Sequence, residues 1–350
     1  MESTRSKLMT ASVCALLVTI LSGLTALAAS PEYRFNTWQN KDQAKDKQSG
    51  PPAAEQSAMA KIEAAPDAAA KLAAAGEFLK KYPKSSLRPK IAAYVAQETN
   101  KIGDSAQRIA QLENMLTVFK EPSDSEVISP ILLDSYFSAG RADDGFRVAT
   151  AYLAKNPNDV AVLTQTMIEG VEQAKKNNPK YVQQSQQYGI KAIELIESGK
   201  KPDTFDDARW SEYQTRWLPV LYQSLGLVSM ITGNKADSRA KLEKALSLNA
   251  ADPFSYVLLG SMLNDEYQQL AQQHKALTPG PLRDSVLKQA HVKLDEVIDM
   301  FAHAVALSEG DTRYQQLHDQ IFKDLEAYYK YRHGGSSDGL PQLIEKYKKK

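Results

Sequence analysis

One short pattern occurs twice in this chain at a spacing of 34 residues. Tyr222-x2-Leu225-Gly226 is followed by Tyr256-x2-Leu259-Gly260. A recurrence of this length is typical of a supersecondary unit that stacks on its neighbours, because a single such unit cannot bury its apolar face alone. The surrounding residues then decide which kind of unit is repeated.

The periodicity of apolar residues indicates that the units are helical. From Met59 onward, apolar residues recur at spacings of three and four, and no persuasive alternation of period two is present. Seven short breaks interrupt this pattern, at residues 81–86, 121–125, 156–159, 199–203, 233–234, 249–253 and 278–281. In these breaks Pro and Gly end one helix, and Ser or Asp opens the next. Connections this short predict antiparallel helical hairpins, with about a dozen helices in total.

The segment between the two copies of the pattern has the features of a second helix. Ser238, Leu242 and Ala245 occupy small, large and small positions there. Together with the Tyr-x2-Leu-Gly pattern, they make residues 219–265 similar to the tetratricopeptide repeat family, as in exported bacterial proteins of this kind. Elsewhere the resemblance is weaker and the repeat lengths drift.

The resemblance implies a fold. We expect an all-α, right-handed superhelical solenoid of antiparallel helical hairpins over residues 59–333. It further implies that Gly226 and Gly260 lie where the partner helix leaves no room for a side chain. Residues 334–350 are expected to form a loop and a short helix that caps the last repeat, and a docking helix for another protein is the alternative.

One hairpin near the C-terminus is expected to be longer than its neighbour. Gly226 and Ala245 are separated by 19 residues, whereas Gly260 and Ala304 are separated by 44. The additional 25 residues or so lie around Thr278-Pro-Gly-Pro281 and extend both helices. An elongated hairpin of this kind is a candidate contact surface.

The resemblance also implies a function. Arrays of this family hold proteins or peptides along a concave face formed by the first helix of each pair. Here that face is predicted to include Gln223, Leu227, Met230, Phe254, Val257, Ser261 and Asn264. We therefore expect a non-enzymatic scaffold with a protein or peptide partner, and a self-assembling structural envelope component is an alternative.

A second alternative rests on a polar stripe at residues 291–303. His291, Asp295, Asp299 and His303 follow one another at intervals of four, and such pairs can bind a divalent metal. Successive steps of four drift around a helix, however, so all four side chains cannot reach one ion. The preferred interpretation is a solvated helix face, and a metal-dependent enzyme or metal-binding protein is the alternative.

The N-terminus is typical of a secretory signal peptide. Arg5 and Lys7 precede an uncharged apolar run that closes with small residues at 26–28. We expect residues 1–28 to be removed after Ala28, which predicts a periplasmic or other extracytoplasmic location. If this segment is not cleaved, it would anchor the chain in a membrane. Residues 29–58 are predicted to be a flexible linker.

Composition narrows the remaining possibilities. The formal charge of +1, from 43 basic and 42 acidic residues, gives no reason to expect a nucleic acid partner. The single cysteine, Cys14, falls within the predicted signal peptide. Motifs for nucleophilic, zinc-dependent or nucleotide-dependent catalysis are not found in the sequence. We therefore predict no enzymatic activity, no cofactor and no metal.

Overall fold

The computed structural model describes residues 52–348, and within this range the chain forms α-helices and two 3₁₀ turns without a β-strand. The first seven helices are α1 Ala53–Ala64, α2 Ala68–Lys81, α3 Arg88–Asn100, α4 Ser105–Val118, α5 Pro122–Ser138, α6 Ala142–Leu153 and α7 Val160–Lys175. The other seven are α8 Val182–Glu197, α9 Asp207–Ile231, α10 Lys235–Leu248, α11 Pro253–Ala276, α12 Pro281–Ser308, α13 Gln315–Arg332 and α14 Leu340–Tyr347. The predicted all-α class is confirmed.

Each of the seven predicted breaks falls at a junction between two helices. Side-chain caps also open helices at junctions outside these seven. The Asp67 carboxylate accepts the Ala70 N–H at 2.8 Å at the start of α2, and Asp104 accepts the Gln107 N–H at 2.7 Å at the start of α4. Because a capped N–H would otherwise lack an intrahelical partner, these residues fix where the helices begin.

Helix contacts divide the expected array into two compact units. The described part of the N-terminal unit comprises residues 52–173 and 194–212, and that of the C-terminal unit comprises residues 174–193 and 213–348.

The N-terminal unit is built from contacts between helices that are close in sequence. α1 packs on α2, α2 on α3 and α4, α3 on α4 and α5, α4 on α5, and α5 on α6. Their shared core contains large buried side chains, among them Ile62, Leu72, Ile91, Leu112, Met115, Phe119, Leu132 and Tyr136. Packing of each helix on the next and the next but one is the arrangement of stacked helical hairpins. The predicted hairpin architecture is therefore confirmed in this unit.

In the C-terminal unit, two glycines lie where the helices of a hairpin approach most closely. A Cβ atom on Gly260 of α11 would lie 2.5 Å from the Phe301 ring of α12. On Gly226 of α9 it would lie 2.8 Å from the Leu242 side chain of α10. The Ser238 hydroxyl crosses the same gap and donates to the Gly226 carbonyl at 2.8 Å. The expectation that the partner helix leaves no room at these glycines is confirmed.

The N-terminal unit uses a similar device in the α5–α6 hairpin. Gly145 of α6 lies directly under the Phe137 ring of α5, so that a Cβ atom there would overlap the ring. Phe137 also packs edge-on against Phe146, with ring centroids 5.5 Å apart. Here the glycine is on the second helix and the aromatic ring on the first, the reverse of the α11–α12 hairpin.

The predicted elongated hairpin consists of α11, with 24 residues, and α12, with 28, whereas α10 has 14. At about 1.5 Å per residue, α11 is about 36 Å long and α10 about 21 Å. Lys235, the first residue of α10, pairs with Asp265 at 3.5 Å. Arg332, the last residue of α13, pairs with Asp295 at 2.8 Å. Residues 268–292, which we call the hairpin tip, therefore extend beyond the ends of α10 and α13.

The N-terminal boundaries differ in part from expectation. The predicted signal peptide, residues 1–28, and residues 29–51 of the predicted linker lie outside the described residues. Residues 53–58, also expected to be linker, form the first turns of α1. The alanine-rich sequence after Pro52 favours helix, and burial of Met59 and Ile62 holds this helix against the rest of the unit.

The same substitution at two helical glycines is expected to have opposite effects on stability. In Gly260→Ala, overpacking against Phe301 costs about 1–3 kcal/mol, which exceeds the gain of about 1 kcal/mol from better helix propensity. In Gly76→Ala, the new methyl group would meet Val118 at 3.6 Å, an ordinary contact, so the propensity gain remains. Denaturant unfolding measures both, and a Gly260→Ala variant as stable as Gly76→Ala would contradict the close approach.

Candidate functional site

The residues predicted to form a concave partner-binding face are largely buried in the C-terminal unit. Met230 is half-buried, and six side chains are buried: Gln223, Leu227, Phe254, Val257, Ser261 and Asn264. Their burial leaves little of these six side chains for a partner to contact in this structure. That these residues contact a protein or peptide partner stays a prediction.

The hydrogen bonds of two amides explain the burial. The Gln223 amide donates to the Ser255 hydroxyl at 3.0 Å and also contacts Asp252, at the start of α11. The Asn264 carbonyl oxygen accepts from the Tyr328 hydroxyl of α13 at 2.9 Å. These bonds join α9 to α11 and α11 to α13, the first helices of successive pairs. Each buried amide therefore has its hydrogen-bond partner on a neighbouring helix of the array, as buried polar groups require.

Burial at the α9–α11 junction also affects an acid. Burial raises the pKa of the Asp252 carboxyl above its usual range, and hydrogen bonds from Ser255, Phe254 and Gln223 act in the opposite direction. Asp252 caps α11 through the Ser255 N–H at 2.9 Å. The carboxyl therefore serves as a structural group at a helix start.

The polar stripe on α12 comprises His291, Asp295, Asp299 and His303. Its carboxylates bond to two other helices. Asp295 accepts from the Arg332 guanidinium of α13 at 2.8 and 3.1 Å. Asp299 accepts from the Tyr347 hydroxyl of α14. Asp295 remains 50% exposed, in agreement with a solvated face, whereas α14 partly covers Asp299 and His303. The interpretation of a solvated face is therefore corrected at these last two residues.

His303 lies between two tyrosine rings. Its imidazole stacks on Tyr256 of α11, with centroids 4.5 Å apart, and on Tyr347 of α14, with centroids 3.4 Å apart. Its Nδ1 atom lies 3.1 Å from the Asp299 carbonyl oxygen. Burial lowers the pKa of His303, Asp299 acts to raise it, and the positive charge of Lys346 acts to lower it. The neutral imidazole is therefore the form that this environment favours.

Metal binding by the stripe would need its side chains to converge. Across residues 52–348, no group of three or more His, Cys, Asp or Glu side chains lies close enough together to hold a metal ion. Asp295 and Asp299 point to different helices, in agreement with the drift of successive i+4 positions around a helix.

The surface beneath α14 is a compact polar and aromatic site, which we call the α14 site. Its members are Tyr256, Asp299, His303 and Glu309. Besides the contacts of Tyr347, the Lys348 amine of the chain after α14 pairs with Glu309 at 2.9 Å. Leu340 and Ile344 are the buried side chains of α14.

Sequence reasoning found only part of this site. It identified the stripe and a short helix within residues 334–350. It missed Tyr256 and Glu309. Tyr256 was interpreted only as a repeat position, and a single glutamate after a helix carries no local signal.

The hairpin tip presents apolar side chains to solvent. Leu282 and Val292 are 63% and 59% exposed. They are ten residues apart on α12, which separates them by about 80° around the helix axis and by about 15 Å along it. Inside the tip, Val286 is buried, and the Arg283 guanidinium lies within hydrogen-bonding distance of the His274 imidazole, at 3.2 Å. The tip is therefore held together by its own contacts and leaves two large apolar side chains uncovered.

None of the helices within residues 52–348 is both long and apolar enough to cross a membrane.

Comparisons with known proteins give a limited result. No family model matches the sequence, and no curated protein matches it either. Among solved structures, the chain is similar to a monomeric mutant of IFIT1 with Gppp-AAAA. The similarity covers 88% of this chain and 71% of that chain, with 12% sequence identity and a TM-score of 0.33. Similarity at this level defines neither a shared fold nor a shared function.

The stacked imidazole predicts a pH dependence of stability. Because the pKa of His303 in the fold lies below its ordinary value of 6.5, its contribution is full above pH 6.5 and is lost as the pH falls through the folded-state pKa. The free energy of unfolding of the wild type should therefore fall more steeply below pH 6.5 than that of His303→Gln. Parallel pH profiles for the two proteins would contradict a neutral, half-buried His303 between Tyr256, Tyr347, Asp299 and Lys346.

Proposed function

We propose that this protein is an exported, non-enzymatic helical-repeat scaffold that binds a protein or peptide partner through the hairpin tip. The exposure of Leu282 and Val292 on a hairpin that extends beyond α10 and α13 carries this proposal. Burying a large aliphatic side chain contributes roughly 1.5–3 kcal/mol, so two such side chains provide a useful anchor for a partner. Their positions, about 15 Å apart along one helix, suit a single contact surface.

Export is the second part of the proposal. It is supported by the basic start, the uncharged apolar run and the small residues that end at Ala28. Near-neutral charge supports a protein or peptide partner over a nucleic acid, because no excess of basic residues is present to attract phosphates. Membrane association follows only if residues 1–28 remain attached.

The self-assembling alternative shares the same surface. A second copy of the chain would also cover Leu282 and Val292, and the mass of a crosslinked product distinguishes a second copy from a different protein.

Photocrosslinking in the native cell envelope tests the proposal. A photoreactive amino acid at position 282 or 292 should give a discrete heterologous adduct, and Leu282→Asp should weaken the adduct formed from position 292 by at least about tenfold, because a charge would enter an apolar contact. Position 248 is a matched control, since Leu248 is 40% exposed but lies at the end of α10, away from the tip. Adducts at position 248 alone, or none at all, would contradict the proposed surface. An adduct with the mass of two chains would favour self-assembly.

A further inference from the structure

Two positions in the chain join an aspartate directly to a glycine, Asp144-Gly145 in α6 and Asp338-Gly339 just before α14. In such a pair the backbone nitrogen of the glycine can attack the side-chain carboxyl of the aspartate, because glycine has no Cβ atom that would crowd the attack. Whether a folded chain permits this reaction depends on how firmly the carboxyl and the nitrogen are held. The two pairs differ in this respect.

Asp144-Gly145 is held on both sides of the prospective bond. The Asp144 carboxylate accepts from Arg141 Nε at 2.8 Å and from Arg147 Nη2 at 3.0 Å. Hydrogen bonds from Arg147 and Arg141 lower the pKa of the Asp144 carboxyl, and an ionised carboxylate is a poor electrophile. The Gly145 N–H donates to the Arg141 carbonyl oxygen at 3.0 Å at the start of α6. Attack at this position therefore requires the helix to open.

Asp338-Gly339 lies in an exposed turn without these restraints. The Ser337 carbonyl oxygen accepts the Leu340 N–H at 3.1 Å, and Gly339 has φ 88° and ψ −14°, the values of the third residue of a type II turn. Among residues 52–348, no donor or cation bonds to the Asp338 carboxyl, and the Gly339 N–H has no acceptor. Both residues are exposed, so the two reacting groups can meet when the turn rotates.

One hydrogen bond resists that rotation. The hydroxyl of the buried Tyr329 donates to the backbone carbonyl oxygen of Asp338 at 2.8 Å. In a type II turn, the peptide between the second and third residues directs the nitrogen of the third away from the side chain of the second. This peptide must turn over before the Gly339 nitrogen can reach Asp338 Cγ, and the carbonyl that Tyr329 holds belongs to the same peptide. Tyr329 therefore opposes the movement that the reaction requires.

We propose that Asp338 is a site of spontaneous conversion to isoaspartate, and that Tyr329 is the positioning residue that sets its rate. The Gly339 nitrogen forms a bond to Asp338 Cγ, and the amide proton and the carboxyl hydroxyl leave as one water, which gives a five-membered succinimide. Water then opens the ring at either carbonyl and yields aspartate or isoaspartate, without an oxidant or reductant. The inference goes beyond the proposed function, because it involves neither the hairpin tip nor a partner.

Isoaspartate changes the chain at the start of α14. Its linkage runs through the former side chain, so the main chain gains one carbon between Ser337 and Gly339, and the former carbonyl becomes part of a free carboxylate. The Tyr329 hydroxyl then loses the carbonyl that it holds, and the buried Leu340 follows directly after the altered pair. The reaction therefore alters the turn that leads into α14 without changing the mass of the chain.

Peptide mapping of the purified mature chain during prolonged incubation at neutral pH tests the inference. A protease that cleaves before aspartate leaves isoaspartate uncut, and electron-transfer fragmentation distinguishes the two residues at equal mass. Asp144 is the matched control inside the same molecule. A synthetic peptide with the sequence of residues 332–343, incubated in parallel, gives the rate without the fold. Asp338→Glu is the negative control, since its longer side chain cannot close the five-membered ring.

We expect isoaspartate to form at position 338 at least about tenfold faster than at position 144, because reaction at Asp144 requires local opening of α6. The folded chain should react at position 338 more slowly than the peptide. Tyr329→Phe should speed this reaction by about two- to tenfold, the equivalent of one hydrogen bond, and leave position 144 unchanged. Circular dichroism checks that this variant retains its helices.

Two sets of results would contradict the inference. No isoaspartate at position 338 after the peptide has converted, or equal rates at positions 338 and 144, would overturn the site. An unchanged rate in folded Tyr329→Phe, or a wild type that reacts as fast as the peptide, would overturn the role of Tyr329.

Discussion

The close approach of paired helices at glycine is the constraint on which the C-terminal unit depends. Phe301 lies against Gly260, and this contact fixes how α12 is rotated about its own axis. Residues two positions away on a helix point about 200° around the axis, so Asp299 and His303 must lie on the side opposite Phe301. That side is where α14 attaches. The position of the α14 site is therefore a consequence of the packing between α11 and α12.

The sequence predicted features that arise from local chemistry. Helix junctions were predictable because Pro, Gly and capping residues act within a few positions. The glycine contacts were predictable because a glycine at this position of the repeat indicates that the partner helix packs closely against it. The elongated hairpin followed from counting residues between Gly260 and Ala304.

Features that depend on distant partners were not predictable. Gln223 and Asn264 were interpreted as facing a ligand, yet Asn264 bonds to Tyr328, 64 positions later in the chain. The stripe was interpreted as solvated, yet Asp299 bonds to Tyr347, 48 positions later. The sequence pattern of a polar residue on an amphipathic helix is the same whether water, another helix or a partner covers that residue. Only the three-dimensional arrangement distinguishes these cases.

The elongated hairpin thus carries two surfaces of different character, an apolar one at its tip and a polar, aromatic one beneath α14. The stable α11–α12 hairpin carries a terminal helix, α14, that is held by few buried side chains. Hydrogen exchange measured by mass spectrometry on the whole mature chain tests this directly, because local opening makes weakly held segments exchange first. We expect slow exchange for residues 257–264 and 294–305 and exchange at least about tenfold faster for residues 340–347. Protection of 340–347 equal to that of the α11–α12 core would contradict it.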